Sequence, residues 1–342
     1  EFAWDPSEAT LQCPYCGNVS DQDRPEEAPQ AIKEHPLHAA WQTAPKGYGA
    51  ELRSIQCDAC TAISEVPAST AATTCPFCSS VQVSALDEDP ETIKPESLIP
   101  FTTEKNDAIR QFRSWLGTLW FRPNALKDAA QLEKIHGVYV PAWTFDAHTQ
   151  TNWWAMSGTY YYVTKRVNGK SKQVRKVRWR PSSGTHSGYY DDVLILASTG
   201  ITQAQFEELA PFSLGDLRPY ASQYLAGFEA ERYQIDLTSG WALAQAKIQS
   251  AERVACGNRV PGDTYKALNL NIEWLNEHFK HILLPIYVAA YRYKGKSYQF
   301  LVNGETGEMT GTAPYSVAKI SAAVATGASA LGGLVYWLQT TG

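Results

Sequence analysis

With 342 residues, 44% of them apolar and 19% charged, the chain can hold two or three folded units with ordinary cores and is too apolar to be a disordered segment. Its formal net charge of −5 conceals two unlike parts: residues 1–100 carry sixteen acidic and five basic side chains, a net of −11, and the remainder carries nineteen and twenty-five, a net of +6. So acidic a front argues against nucleic-acid binding by that part itself. Eleven Trp and eighteen Tyr point to a β-rich body, because aromatics suit pleated, half-buried surfaces.

In chain order, residues 1–24 contain the pair Cys13 and Cys16 and read as a partial metal ribbon with one knuckle. Residues 25–48, rich in Pro, Ala, Glu and His, read as a linker with a short helix near Ala31–His35. Residues 49–86 form the expected complete ribbon, with strands over Glu51–Gln56, Ala62–Val66 and Val81–Ala85. An acidic stretch, Leu86–Pro95, leads into a body expected over 98–313. There Ile109, Phe112, Trp115, Leu116 and Leu119 recur at helical spacing within Thr103–Leu119, and Asn124–Ile135 reads as a second helix stopped by Gly137.

Strands are expected over Val138–Phe145, Gly158–Val167, Gln173–Trp179 and Val193–Ala197, with Asn168-Gly169 as a hairpin turn. Gln203–Leu209 and Ala242–Val254 read as helices flanking a strand, Glu229–Leu237. The last β unit is read as Ile282–Tyr293, Ser297–Val302 and Glu308–Gly311. Val140–Phe145 resembles Leu284–Ala289, each entering a strand through a proline after a helix, which hints at two related β units. The predicted class is α+β: zinc ribbons at the front, then an antiparallel, β-rich body with flanking helices.

The tail differs in kind. Residues 320–342 contain no charge, and Ile320–Leu338 is a largely apolar run of nineteen residues. At about 1.5 Å per residue such a run just spans a hydrocarbon core of about 30 Å. A transmembrane helix over 316–340 is therefore expected, against the alternative of a buried terminal helix. Ser321, Ala325, Ser329 and Gly333 would give it a small-residue stripe suited to homo-oligomer packing. Lys294, Lys296 and Lys319 precede it, which predicts a single pass through the inner (plasma) membrane with the body in the cytoplasm.

Cys57, Cys60, Cys75 and Cys78 are spaced C-x2-C-x14-C-x2-C, close to a zinc-ribbon pattern, and predict a structural Zn2+ held by four thiolates. All cysteines but Cys256 fall in Cys-x-x-Cys pairs, and the chain opens on polar, acidic residues without a secretory pattern, so metal rather than disulfides is expected. Cys13 and Cys16 read as half of a second site whose partner knuckle would fall upstream of Glu1; a metal-free knuckle and completion by His35 or His38 are the alternatives. Cys256 reads as a buried or incidental thiol.

A second candidate is the basic hairpin. Lys165, Arg166, Lys170, Lys172, Arg175, Lys176, Arg178 and Arg180 place eight cations in sixteen residues with no acid. Such a patch suits anionic lipid or an acidic protein, or the phosphates of nucleic acid; a solvated ribbon protected from edge pairing by its charge is the plain alternative. Catalysis has little support. Asp191 and Asp192 are adjacent strand residues facing opposite ways, His136, His148 and His186 lack metal-ligand spacing, and no Gly-x-Ser-x-Gly elbow occurs.

From Ile93 onward the chain resembles a bacterial family of zinc-ribbon membrane proteins, often labelled primosomal or helicase-like. The resemblance rests on Pro95–Phe101, Trp120–Pro123, Gly137–Asp146, Tyr190–Leu194, Leu225–Phe228, Leu283–Pro285, Tyr291–Tyr293 and Val302–Gly307. No Gly-x-x-x-x-Gly-Lys-Ser/Thr loop accompanies these motifs, so the helicase label is not carried over. The resemblance implies a two-ribbon protein whose first ribbon opens with another Cys-x-x-Cys. It also implies a genomic setting beside phage-shock-type membrane-remodelling proteins and flotillin-like scaffolds, hence protein partners of that kind. The expectation is a non-enzymatic, membrane-anchored adaptor, the alternative a nucleic-acid-binding ribbon protein using residues 165–180.

Overall fold

The computed structural model describes residues 2–20, 32–47, 52–67, 74–78, 80–81, 83–86, 92–118, 135–167, 170–293, 296–312, 319 and 321. At the front, β1 (Ala3–Asp5) and β2 (Thr10–Gln12) form a small antiparallel pair. β3 (His35–Pro36) and the short α1 (Ala40–Thr43) follow, then the ribbon strands β4 (Leu52–Cys57), β5 (Ile63–Pro67) and β6 (Val83–Leu86). The body comprises β7 (Ser97–Leu98), α2 (Lys105–Thr118), β8 (Ile135–Val167), β9 (Lys170–Leu196), α3 (Gln203–Leu209), β10 (Arg218–Pro219), β11 (Glu229–Glu231), α4 (Leu237–Gly257), β12 (Thr264–Tyr293), β13 (Lys296–Asn303) and β14 (Met309–Gly311). The class is α+β, and one sheet dominates, running β10-β7-β12-β8-β11-β5-β4-β6, with β9 beside β8 and β13 beside β12.

Residues expected as four separate strands, 138–145, 158–167, 173–179 and 193–197, belong to just two, of 33 and 27 residues. The helix expected over Asn124–Ile135 falls outside the described residues except for Ile135, which opens β8. Likewise His35, expected at the end of a helix, sits in β3 and pairs with Phe279 of β12.

The weak repeat at Val140–Phe145 and Leu284–Ala289 marks a two-fold arrangement. Val140 and Leu284 are direct antiparallel partners at the centre of the β8–β12 pair. Three residues before Pro141, Val138 pairs in parallel with Glu229 of β11; three before Pro285, Ile282 pairs in parallel with Ser97 of β7. α2 and α4 each begin eight residues beyond those partners. After each proline a hairpin strand takes over, Ala142 pairing with Leu196 and Ile286 with Asn303. Ala197 N donates to Pro141 O (3.0 Å) and Gly304 N to Pro285 O (2.8 Å). The body is therefore two copies of a strand–helix–strand–strand unit, each lending its short strand to the other's long one.

This arrangement explains two prolines inside central strands, where the lost N–H would ordinarily break a ladder. In a strand the N and C=O of one residue point the same way. The missing donors of Pro141 and Pro285 thus face the seams where one neighbouring strand ends and the next begins, and no acceptor waits there.

The halves also share a face. Tyr139, Leu283 and Tyr287 pack with Ala108 and Phe112 of α2, and Trp143, Phe145 and Phe279 with Leu237 and Ala244 of α4. On the opposite face Val138, Val140, Ile282, Leu284 and Ile286 meet Phe206 and Leu209 of α3 together with Cys57, Cys75 and Phe77 of the ribbon. Within the segment read as a linker, Ala40 and Ala44 are buried in the α4-side cluster.

Candidate metal centre

β4 ends on Cys57, and the chain turns at once: Thr61 N donates to Cys57 O (2.9 Å) and Cys57 N to Ala62 O (3.0 Å). Thr61 takes a left-handed conformation to close this knuckle, and Cys60 sits inside it. Downstream, Cys75 N donates to Ser80 O (2.9 Å) in the same manner. Pairing of Gln56 with Ile63 and of Cys57 with Val83 stacks the two knuckles.

The ligand atoms of Cys57, Cys60, Cys75 and Cys78 consequently lie within 4.8 Å of one another. The Cys57–Cys78 and Cys60–Cys75 sulfurs are each 3.5 Å apart. Four thiolates at about 2.3 Å from a tetrahedral metal stand about 3.8 Å from each other, so this donor set fits a closed tetrathiolate centre with no position left for substrate. Its protonation suits that use. A hydrogen bond from Cys75 holds the Cys60 thiol down to about 5, bonding to Cys60 and burial push Cys75 up, and burial pushes Cys78 up to about 11. A divalent ion bound by these thiols would release the protons they still carry.

The centre is built into the body. β5 pairs with β11 through Ser64–Glu231 and Glu65–Ala230, so the ribbon extends the main sheet. Phe77, between the second pair of cysteines, is fully buried, and Gln299 Nε2 donates to its carbonyl (2.6 Å) and to that of Gly200 (2.9 Å). Beside it Glu231, wholly enclosed, is pushed up to about 8 by burial.

Cys13 and Cys16 form a third knuckle of the same construction: Cys13 N donates to Asn18 O and Gly17 N to Cys13 O, each at 2.9 Å. Backbone N–H groups of Tyr15 and Cys16 hold the Cys13 thiol below its usual value. Among the described residues no third ligand joins this pair. His35 is engaged elsewhere, its Nε2 lying 3.3 Å from Glu96 Oε2. Cys256 is a fully buried thiol.

The basic hairpin is the outer part of β8 and β9, whose register runs to Val167–Lys170; Asn168 and Gly169 themselves lie outside the described residues. β12 reaches only to Thr264, opposite Gly158, so beyond that point the arm is two-stranded. Cross-strand partners Ser157–Arg180, Thr159–Arg178, Tyr161–Lys176, Lys165–Lys172 and Val167–Lys170 share one face. Lys165, Lys170, Lys172, Lys176, Arg178 and Arg180 therefore point together, while Arg166 and Arg175 point the other way. Of the nearby tryptophans Trp153 is buried, Trp154 is 44% exposed, and Trp179 lies under Lys266 Nζ at 4.3 Å.

Three polar clusters had no sequence signal, because their members are far apart in the chain. In the first, His136 Nδ1 and Glu229 Oε1 (2.9 Å) line a cleft of about 540 Å³ with Trp4, Glu104, Phe228 and Tyr287. A second centres on Lys280, whose Nζ meets Asp192 Oδ1 (2.7 Å) and Glu34 Oε1 (3.2 Å) near Asp146, a carboxyl pushed up to about 6 by burial. In the third, buried Glu252 Oε1 accepts from Thr149 (2.7 Å) and Tyr190 (2.8 Å), with His186 3.7 Å away. Asp191 and Asp192 do not act as a pair: Asp192 meets Lys280, and Asp191 is exposed.

The expected transmembrane helix over 316–340 lies outside the described residues, apart from Lys319 and Ser321. Among the described residues no helix is long and apolar enough to cross a membrane.

The chain is similar to the uncharacterized protein YdjG of Bacillus subtilis (strain 168), with 27% identity over 241 residues, 67% of each chain. No protein-family model matches it. No solved structure matches it either.

Proposed function

We propose that this chain is a membrane-anchored zinc-ribbon adaptor: its tail spans the inner membrane, its body lies in the cytoplasm, and its ribbons and body hold protein partners there. The observation that carries this reading is the four-cysteine cluster set into the edge of the body sheet through β5 and β11. A closed tetrathiolate centre does structural work, and four thiolates in a tetrahedron are a common structural zinc set. Fused to a rigid sheet, it presents a fixed surface. The uncharged run after Lys319 supports the anchor, and the resemblance to zinc-ribbon membrane proteins supports partners of the membrane-remodelling or flotillin-like kind.

The test is extraction of the chain from its own membranes in mild detergent, with mass spectrometry of what co-purifies and zinc analysis of the product. A stoichiometric membrane-associated protein and one zinc for each four-cysteine cluster are expected. Full recovery in the soluble fraction, or loss from membranes in carbonate, would overturn the anchor. The alternative, nucleic-acid binding through the arm, rests on its eight cations and predicts binding that weakens steeply with salt.

A further inference from the structure

We infer that the arm beyond Gly158, with Arg180 at its root opposite Ser157, is a second membrane contact, its six-cation face lying on anionic lipid headgroups; this rests on the membrane-anchored reading above. The sequence offers eight cations without an address, and the register supplies one. Lys165, Lys170, Lys172, Lys176, Arg178 and Arg180 share one face of a two-stranded ribbon, and all six are exposed. They stand on the side that α4 covers nearer the body, where Ala147, Thr149, Thr151 and Trp153 are buried. The helix ends at Gly257, and Pro261 to Asp263 turn back into β12, Asp263 Oδ2 accepting from Tyr160 N (2.7 Å). Past that turn no described element covers the cations.

The distribution of charge selects the partner. Here six lie on one face and two, Arg166 and Arg175, on the other, which matches a planar polyanion touched from one side. About nine residues per strand at about 3.4 Å give a plate roughly 30 Å long, enough for several headgroups. Tyr161, on the cationic face, carries Arg178 over its ring at 5.4 Å, and Tyr with Arg and Lys is the composition that settles at a bilayer's polar boundary. Neighbouring like charges keep the arm from pairing with another copy's strands, so the same residues serve solubility off the membrane.

The experiment places the full chain in lipid nanodiscs of phosphatidylcholine alone or with about 30% phosphatidylglycerol and follows amide exchange across 159–180. Protection that needs phosphatidylglycerol is expected. It should disappear in K172Q/K176Q/R178Q and persist in R166Q/R175Q, whose cations face away. In vesicle co-sedimentation each neutralised cation on the six-cation face should weaken binding about fivefold, hence roughly a hundredfold for three. A chain that enters both nanodiscs with identical arm exchange would overturn this inference and leave the anchor standing. A chain that enters neither discards the anchor; vesicles then decide the arm, phosphatidylglycerol-dependent sedimentation upholding it and its absence refuting it. Tighter binding to a short DNA duplex than to those vesicles, lost in the same triple variant, would reassign the arm to nucleic acid.

Discussion

Removing zinc from the proposed four-cysteine centre should damage the body as well as the ribbon. A structural tetrathiolate zinc contributes about 10–16 kcal/mol to the folding of a small module, more than such a module holds by other means. Stripped of it, the knuckles at Cys57–Ala62 and Cys75–Ser80 lose their crosslink, and Phe77 leaves the core it fills beside Gly200. Emptying a buried Phe site costs about 3–5 kcal/mol. Gln299 Nε2 loses its 2.6 Å bond to the Phe77 carbonyl at about 1 kcal/mol more. The body should therefore lose about 4–6 kcal/mol, and at about 2–4 °C per kcal/mol its Tm should fall by about 8–24 °C. The assay is thermal unfolding followed by near-ultraviolet circular dichroism, which reads the body's Trp and Tyr, before and after chelation. Phe77→Ala with the metal retained should reproduce most of the drop. A Tm that moves by less than about 2 °C, after zinc analysis shows the metal gone, would mean that the ribbon is an independent appendage.

Asp146 should give the protein a pH slope: its folded value lies above the ordinary 3.8, at about 6, so its contribution is intact below pH 4 and lost as pH rises through 6. That is worth up to about 3 kcal/mol, and denaturant titrations of Asp146→Asn between pH 4 and 7 should show the loss removed; an unchanged slope would clear Asp146 of the role. Thr149→Val deprives buried Glu252 of a 2.7 Å donor and should cost about 1.5–3 kcal/mol by urea unfolding, where a neutral result would mean that Tyr190 alone suffices. Thr202 and Gln205 form a reciprocal cap at the start of α3, so Thr202→Ala should cost about 1 kcal/mol in the same assay, and no loss would leave the cap without energetic weight.

What could be read beforehand was local chemistry. The cysteine spacing located the four-cysteine ligand set, because C-x2-C closes a knuckle whatever surrounds it. Helical periodicity located α2, and turn chemistry located the hairpin whose strands pair up to Val167 and Lys170. Strand length was not legible. The expected strands break off between Phe145 and Gly158 and between Trp179 and Val193, yet Gly158 and Gly184 lie inside β8 and β9, where an added Cβ would come within 2.7 Å of Trp179 and 2.6 Å of Trp153. They are spaces left for tryptophans across the ladder. Equally hidden were the pairs His136–Glu229, Asp192–Lys280 and Thr149–Glu252, whose partners come from opposite halves of the duplicated body.

The duplication also shows where the two halves have parted, and each departure falls on β8. The seam beside Pro141 admits β11 and, through it, the ribbon strand β5; the equivalent seam beside Pro285 admits β7 and only the two-residue β10. The first unit's hairpin runs 26 residues past its proline to Val167, the second's eight to Tyr293. In compensation β12 begins 21 residues before Pro285, at Thr264, and pairs with the lengthened β8. One strand thus carries the four-cysteine ribbon at Val138 and Tyr139 and the cationic arm from Thr159 onward. Twenty-one residues at about 3.3 Å separate the two by roughly 70 Å. Between these points β8 is braced by β12 on one side and, from Ala142, by β9 on the other, with α4 across one face. A strand held in this way cannot fold up without breaking many ladder bonds at once, so the distance between ribbon and arm is set by the sheet and not by a linker.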